Sequence, residues 1–157
     1  MRERQIESEL WLPCRRAEVF AFFSDASNLE ALTPKWLSFR TLTPAPIRME
    51  AGTLIDYELR LHGIPIRWRT KITVWDPPFR FVDEQLRGPY RRWIHEHTFE
   101  ERDGGTLMRD RVRYAVPFDF LAHRLFVKPD VEKIFAYREE QMRKLFGAET
   151  SAKEHVI

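Results

Sequence analysis

WIHEHTFEERDGGTLMRDRVRY, residues 93–114, reads as two strands and the turn between them. Asp103-Gly104 is a strong two-residue hairpin signal, because both central positions of the favoured turn need positive φ. Folding the chain back there pairs Phe99 with Met108, His97 with Asp110, His95 with Val112 and Trp93 with Tyr114. The other face pairs Glu96 with Arg111 and Ile94 with Arg113. One register therefore separates an aromatic and apolar face from a charged one, and a slip of one residue would exchange them.

The same logic applies around His62-Gly63. It pairs Leu59 with Ile66 and Tyr57 with Trp68, and on the other face Asp56 with Arg69 and Glu58 with Arg67. Further alternating stretches predict strands at Gln5–Leu12, Trp36–Leu42 and in FRFVDEQL, residues 79–86. Turn chemistry separates them at Asp76-Pro77-Pro78 and Gly88-Pro89, and residues 43–52 read as a loop. Between the first two strands, Val19, Phe20, Phe23, Leu29 and Leu32 recur at helical spacing with a break near Asp25, which predicts two short helices. After Pro117 the period becomes helical again. Residues 118–126 form one short segment, and Pro129 opens a long helix to about Phe146, its stripe being Val131, Ile134, Phe135, Met142, Leu145 and Phe146. Arg138 is expected near the edge of this helix, capping it or pairing an acid. Residues 1–147 are expected to make one domain and 148–157 a frayed tail. The fold class is thus α+β: a curved antiparallel sheet of about seven strands, two short helices after the first strand, and a long C-terminal helix on the concave face. A sheet that grips one helix leaves room for a hole between them.

Composition narrows the partners. A net charge of +2 is too small to imply a polyanion, and the arginine stripes have acidic residues opposite them, so no nucleic-acid partner is expected. Cys14 is the sole cysteine, which excludes an internal disulfide and suits a reducing cytoplasm. The N-terminus lacks an apolar signal-type run and no stretch reaches transmembrane length, so no stable membrane insertion is expected. Twelve Phe and five Trp are more than a core of this size requires, and such rings also line pockets for oily guests.

By parity the inward face of the sheet carries Tyr57, Trp68, Trp93, Phe99, Met108 and Tyr114 among its apolar residues. Set among them are Asp83, Gln85, His95, His97 and Asp110, which fall on three successive strands. Buried polar groups need partners, and the carboxylate of Asp110 faces His97. With an even register at the Gly88-Pro89 turn, Asp83 falls near His95 or Trp93. Four uses of this cluster stay open: a satisfied structural network, the polar lining of a ligand cavity, a catalytic pair, or a metal site. The metal case is weakest, since no cysteine is nearby and the other histidines lie elsewhere in the pattern. No cofactor fingerprint accompanies the cluster.

The segments AEVFAFFSDASNLEALTPKWL (17–37), DPPFRFVDEQLRGPYRRWIHEHTFEERDGGTLMRDRVRYAVPF (76–118) and IFAYREEQMRKLF (134–146), in this order, resemble the START/Bet v 1-like (SRPBCC) superfamily. Within it they look like the bacterial polyketide cyclase/dehydrase-like branch, and the resemblance spans roughly residues 3–147. It implies a helix-grip fold. It also implies a small hydrophobic or amphipathic ligand between sheet and C-terminal helix, touching Tyr57, Trp68, Asp83, Gln85, Trp93, His95, His97, Phe99, Met108, Tyr114 and Phe135. The alternative it carries is a cyclase or dehydratase using His97, Asp110 and His95 as an acid/base set. A third reading is an interaction module with a closed cavity. The outward residues Ile94, Leu86 and Val82 form an apolar patch that could support a homodimer. One departure stands out: many relatives have a glycine-containing link where this chain has FDFLAHRLFVKPDV.

Overall fold

A computed structural model describes residues 2–117 and 127–147. Its strands are β1 (Arg4–Leu12), β2 (Arg40–Thr41), β3 (Leu54–Leu61), β4 (Ile64–Asp76), β5 (Arg80–Arg87), β6 (Arg92–Arg102) and β7 (Gly105–Ala115). Helix α1 (Arg16–Ser24) and a 3-10 helix (Ala26–Leu32) follow β1, and α2 (Lys128–Phe146) ends the described chain. The expected short segment at 118–126 and the tail at 148–157 lie outside the described residues. The seven strands form one antiparallel sheet in the order β1-β7-β6-β5-β4-β3-β2. With the long C-terminal helix, this is a helix-grip fold.

Both hairpins take the register their turn residues demand. Phe99 pairs with Met108, His97 with Asp110 and Trp93 with Tyr114, while Leu59 pairs with Ile66 and Tyr57 with Trp68. The turn residues have positive φ in each case: Asp103 51° and Gly104 76°, His62 49° and Gly63 80°. Asp83 pairs with His95 across β5 and β6. The long strand β4 shifts register between Arg69 and Thr70 and again between Ile72 and Val74. Such bulges bend and twist a strand, which lets a 13-residue strand follow a curved sheet.

Three expectations change. Trp36–Leu42 is not a strand, because Lys35–Leu37 turns as a 3-10 helix after Pro34 and Ser38 is left-handed. Only Arg40–Thr41 is left to pair with β3. Glu58 keeps its expected place opposite Arg67, and its carboxylate also accepts from Arg40 Nε of β2 at 2.7 Å. On α2, Leu145 is half exposed, and the buried stripe is Val131, Phe135, Arg138 and Met142. The arginine occupies a core position, not an edge. The outer apolar patch also shrinks, since Val82 is buried and Ile94 half-buried, leaving Leu86 exposed.

The core is divided along the sheet. At one end α1 drives Phe20 and Phe23 against Phe81, Phe99 and Met108, with Met142 of α2 closing the cluster. A second cluster joins Val131 and Phe135 of α2 to Val112 and Tyr114 of β7. The third sits around Ile55 and Tyr57 of β3, backed by Phe39, Met49 and Trp68. The break between α1 and the 3-10 helix is made by Asp25, whose carboxylate accepts from the Ser27 backbone N–H at 3.0 Å.

The close of β7 on β1 leaves no room at Gly105. A Cβ there would collide with the carbonyl of Leu12 and lie 2.6 Å from the Trp11 ring. Gly105→Ala is expected to cost about 2 kcal/mol through overpacking, measured as a lower midpoint in urea unfolding with an unchanged slope.

Candidate functional site

The alternation of β6 sends His95 and His97 inward together, and their rings stack with centroids 3.7 Å apart. Asp83 on β5 and Asp110 on β7 flank them. Backbone pairing sets Asp83 beside His95, but its carboxylate reaches diagonally, and His97 Nε2 donates to Asp83 Oδ2 at 2.8 Å. Asp110 Oδ1 takes both remaining contacts: His95 Nε2 at 2.8 Å and His97 Nδ1 at 2.9 Å. From the opposite side Arg138 of α2 donates through Nε to Asp110 Oδ2 at 3.3 Å and through Nη2 to Oδ1 at 3.2 Å. Its guanidinium carbon lies 5.2 Å over the Phe23 ring. Phe81 stacks on His97 with centroids 4.1 Å apart.

Burial and pairing set the charges. Burial opposes ionisation of Asp110, but the Arg138 charge and the hydrogen bonds from both histidines hold its carboxyl well below the usual carboxylate range. Asp83 is also burdened by burial and is held low by the His97 hydrogen bond and the nearby cations. For His97, burial disfavours the cation, yet hydrogen bonds to Asp110 and Asp83 outweigh it and raise the pKa. His95 goes the other way: burial, then the charge of His97, push it down despite Asp110. With its two ring nitrogens 2.8 and 2.9 Å from the oxygens of Asp83 and Asp110, His97 has the geometry of an imidazolium donating twice, beside two carboxylates, the Arg138 cation and a neutral His95. That cluster carries no net charge, which is what a dry interior tolerates.

Above it lies a cavity of about 210 Å³. Its floor is Asp83, His95, His97 and Arg138, and its walls include Tyr57, Trp68, Tyr90, Trp93 and Phe135. Of the residues expected to touch a ligand, seven line this cavity: Tyr57, Trp68, Asp83, Trp93, His95, His97 and Phe135. Four do not. Phe99 and Met108 are packed under α1, and Tyr114 belongs to the cluster beneath Val131. Gln85 is bound to the β5–β6 loop, donating to the Tyr90 carbonyl at 2.7 Å and accepting from the Tyr90 N–H at 3.2 Å. A side chain at Gly88 would strike that amide, its Cβ lying 2.7 Å from Gln85 Cδ. Asp110 stands behind the histidines rather than on the wall.

Sequence reasoning expected Arg138 to cap the helix or pair an acid, and it pairs Asp110, but its place at the site was missed, as was much of the wall from residues 22–49: Phe22, Leu29, Leu32, Leu37, Phe39 and Met49. A signal for Arg138 existed, since it falls on the same helical stripe as Val131, Phe135 and Met142. Metal ligation has a geometric basis in that Asp83, His95 and His97 each offer a ligand atom within 4.8 Å of the others. However, the two rings are only 28° from parallel, so their lone pairs do not converge, and both His97 nitrogens already face carboxylates. The set as arranged suits protons better than a cation.

Two measurements test this charge assignment. Arg138→Met removes the guanidinium from Asp110 and is expected to destabilise the fold by about 3 kcal/mol or more, read by denaturant unfolding. In imidazole NMR, His97 should titrate above the ordinary value of 6.5 and His95 below it. The sign for stability follows. His97 contributes fully below 6.5, and its share is lost as pH rises through its raised folded value. His95 contributes above 6.5 and loses its share as pH falls through its depressed value. His97→Gln should therefore flatten the alkaline decline of the melting temperature.

A family profile described as polyketide cyclase/dehydrase and lipid transport matches residues 12–143. No curated protein matches the sequence. Among solved structures, the Zhui aromatase/cyclase from Streptomyces sp. R1128 is similar with TM-score 0.73 at 12% identity, over 99% of this chain and 100% of that one. Protein Ms6760 from Mycobacterium smegmatis is similar with TM-score 0.67 at 17% identity, over 92% and 91% of the two chains. Ginseng major latex-like protein 151 from Panax ginseng is similar with TM-score 0.67 at 7% identity, over 92% and 97%. At these identities the structures speak for the fold alone. The profile spans most of the chain and establishes that it belongs to the polyketide cyclase/dehydrase and lipid transport family.

Proposed function

We propose that this protein binds a small hydrophobic or amphipathic molecule, lipid- or polyketide-like, in the cavity between the sheet and α2, without transforming it. One observation carries the reading: an aromatic-walled cavity whose charged groups Asp83, His97 and Arg138 gather at its floor and, with Asp110 behind them, pair with one another without a guest. Pockets that hold small molecules have this anatomy, mostly apolar with a few placed polar atoms. A floor that is already neutral can accept a greasy guest without leaving a charge stranded. The outer arginines do not argue for nucleic acid, because Arg69, Arg109 and Arg111 pair with Asp56, Glu9 and Glu7 at 2.8 Å. The single cysteine fits a reducing cytoplasm. No helix of the described residues is long and apolar enough to cross a membrane.

The second reading, a cyclase or dehydratase, draws on one atom. His95 Nδ1 is 4.0 Å from Asp83 Oδ2 and makes no hydrogen bond among the described residues, so it is the imidazole nitrogen free to take a proton from a guest. In such a reaction His95 would touch the substrate, and Asp110 and His97 would position it. The deciding experiment is mass spectrometry of organic extracts from the purified protein. A reproducible small molecule, recovered unchanged after incubation with the protein, is expected for a carrier. Conversion of that molecule, abolished in folded His95→Gln, would transfer the case to the enzyme. An empty extract with no binding of apolar probes would end both.

A further inference from the structure

Hydrogen-bond valences at the cavity floor are unevenly spent. His95 is 8% exposed and gives its Nε2–H to Asp110 at 2.8 Å, so in the neutral ring Nδ1 holds a lone pair. Asp83 receives His97 on Oδ2, and its Oδ1 has no partner among the described residues. The sealed and unpartnered side-chain polar atoms of the described residues are Arg16 Nε and Thr41 Oγ1. His95 Nδ1 and Asp83 Oδ1 are therefore not sealed, and both residues border the cavity. Both His97 nitrogens face carboxylates, and Arg138 uses Nε and Nη2 on Asp110.

Two acceptors border a largely apolar chamber, and no group among the described residues is bonded to them. We infer that Asp83 and His95 are the specificity pair of this cavity and select a neutral ligand whose buried end is a hydroxyl, an alcohol or phenol, over one ending in a carboxylate or an ether. The inference rests on the ligand-binding reading above and adds the polarity of the guest. Acceptors decide that the head must donate, since a carboxylate or ether oxygen would face a lone pair and a carboxylate with no hydrogen between them. Charge decides that it must be neutral. The floor already sums to zero, so an anionic head would add an unpaired charge in a dry site, and an ammonium would do the same unless His97 released its proton. The walls decide the rest of the shape: Trp68, Tyr90 and Trp93 present ring faces and edges, which suits a flat body behind the hydroxyl.

Three probes of one shape test this by isothermal titration calorimetry at neutral pH: 2-naphthol, 2-methoxynaphthalene and 2-naphthoate. The expected result is 2-naphthol binding about tenfold or more tighter than the methyl ether, with 2-naphthoate weaker still. In Asp83→Asn, which keeps the shape and removes the charge, the advantage of the naphthol over the ether should shrink by about tenfold. Circular dichroism and the melting temperature establish that the variant is folded. If it is not, the wild-type ranking alone decides. Equal binding of all three probes, or a preference for the naphthoate, overturns the hydroxyl selectivity while leaving the cavity a ligand site. Retention of the naphthol advantage in folded Asp83→Asn removes Asp83 from the pair and overturns the proposal as stated. Failure of every probe to bind, with an empty organic extract, overturns the ligand-binding reading and this one together.

Discussion

The carboxylate of Asp110 holds two layers of the fold to each other. It is 5% exposed, and a carboxylate so deeply placed is tolerable only when its lone pairs are occupied by charged or strongly polar donors. Those donors come from two directions: the rings of His95 and His97 from the neighbouring strand, and the guanidinium of Arg138 from α2. Moving α2 by one turn, or turning either ring over, would leave the carboxylate short of a partner. The penalty for that fixes how the helix lies on the sheet and which way each imidazole points.

The hollow beside this cluster exists because the apolar groups are spent at the ends. Phe20, Phe23, Phe81 and Phe99 interlock under α1, with ring centroids between 5.2 and 6.1 Å for Phe20–Phe99 and Phe81–Phe99. Val131, Phe135 and Tyr114 close the other end. Between them much of the wall is supplied by the 3-10 helix and the loops around it. The polar floor is thus buried without being covered by packed side chains. That is the condition under which a few hydrogen-bonding atoms can stay unpaired at modest cost, since a guest or water in the cavity can reach them.

Much of the sheet was readable one hairpin at a time. Strand alternation and turn residues act over a few positions, so Asp103-Gly104 and His62-Gly63 were enough to set the partners of Trp93, His97, Tyr57 and Trp68. The segment at Trp36 was misread because its alternation competes with Pro34 and a left-handed Ser38, and the turn prevails. Arg138 sat in plain view on the buried stripe of α2, but an arginine at a core position is intelligible only beside the acid that receives it. Gln85 faced inward as parity required, yet the adjoining loop claimed its amide before the cavity could.

By itself, then, the sequence determined the order of elements, the register of both tight hairpins, the set of inward-facing residues and the family resemblance, all of which are written in local periods and short motifs. Only the tertiary structure decided which carboxylate each histidine takes, where Arg138 inserts, and which inward residues border empty space. Phe99 and Met108 look the same in sequence as Trp68 and Trp93, but α1 packs over the first pair and the cavity opens over the second. Those outcomes depend on contacts between segments far apart in the chain, and neither the spacing nor the chemistry of any one segment contains them.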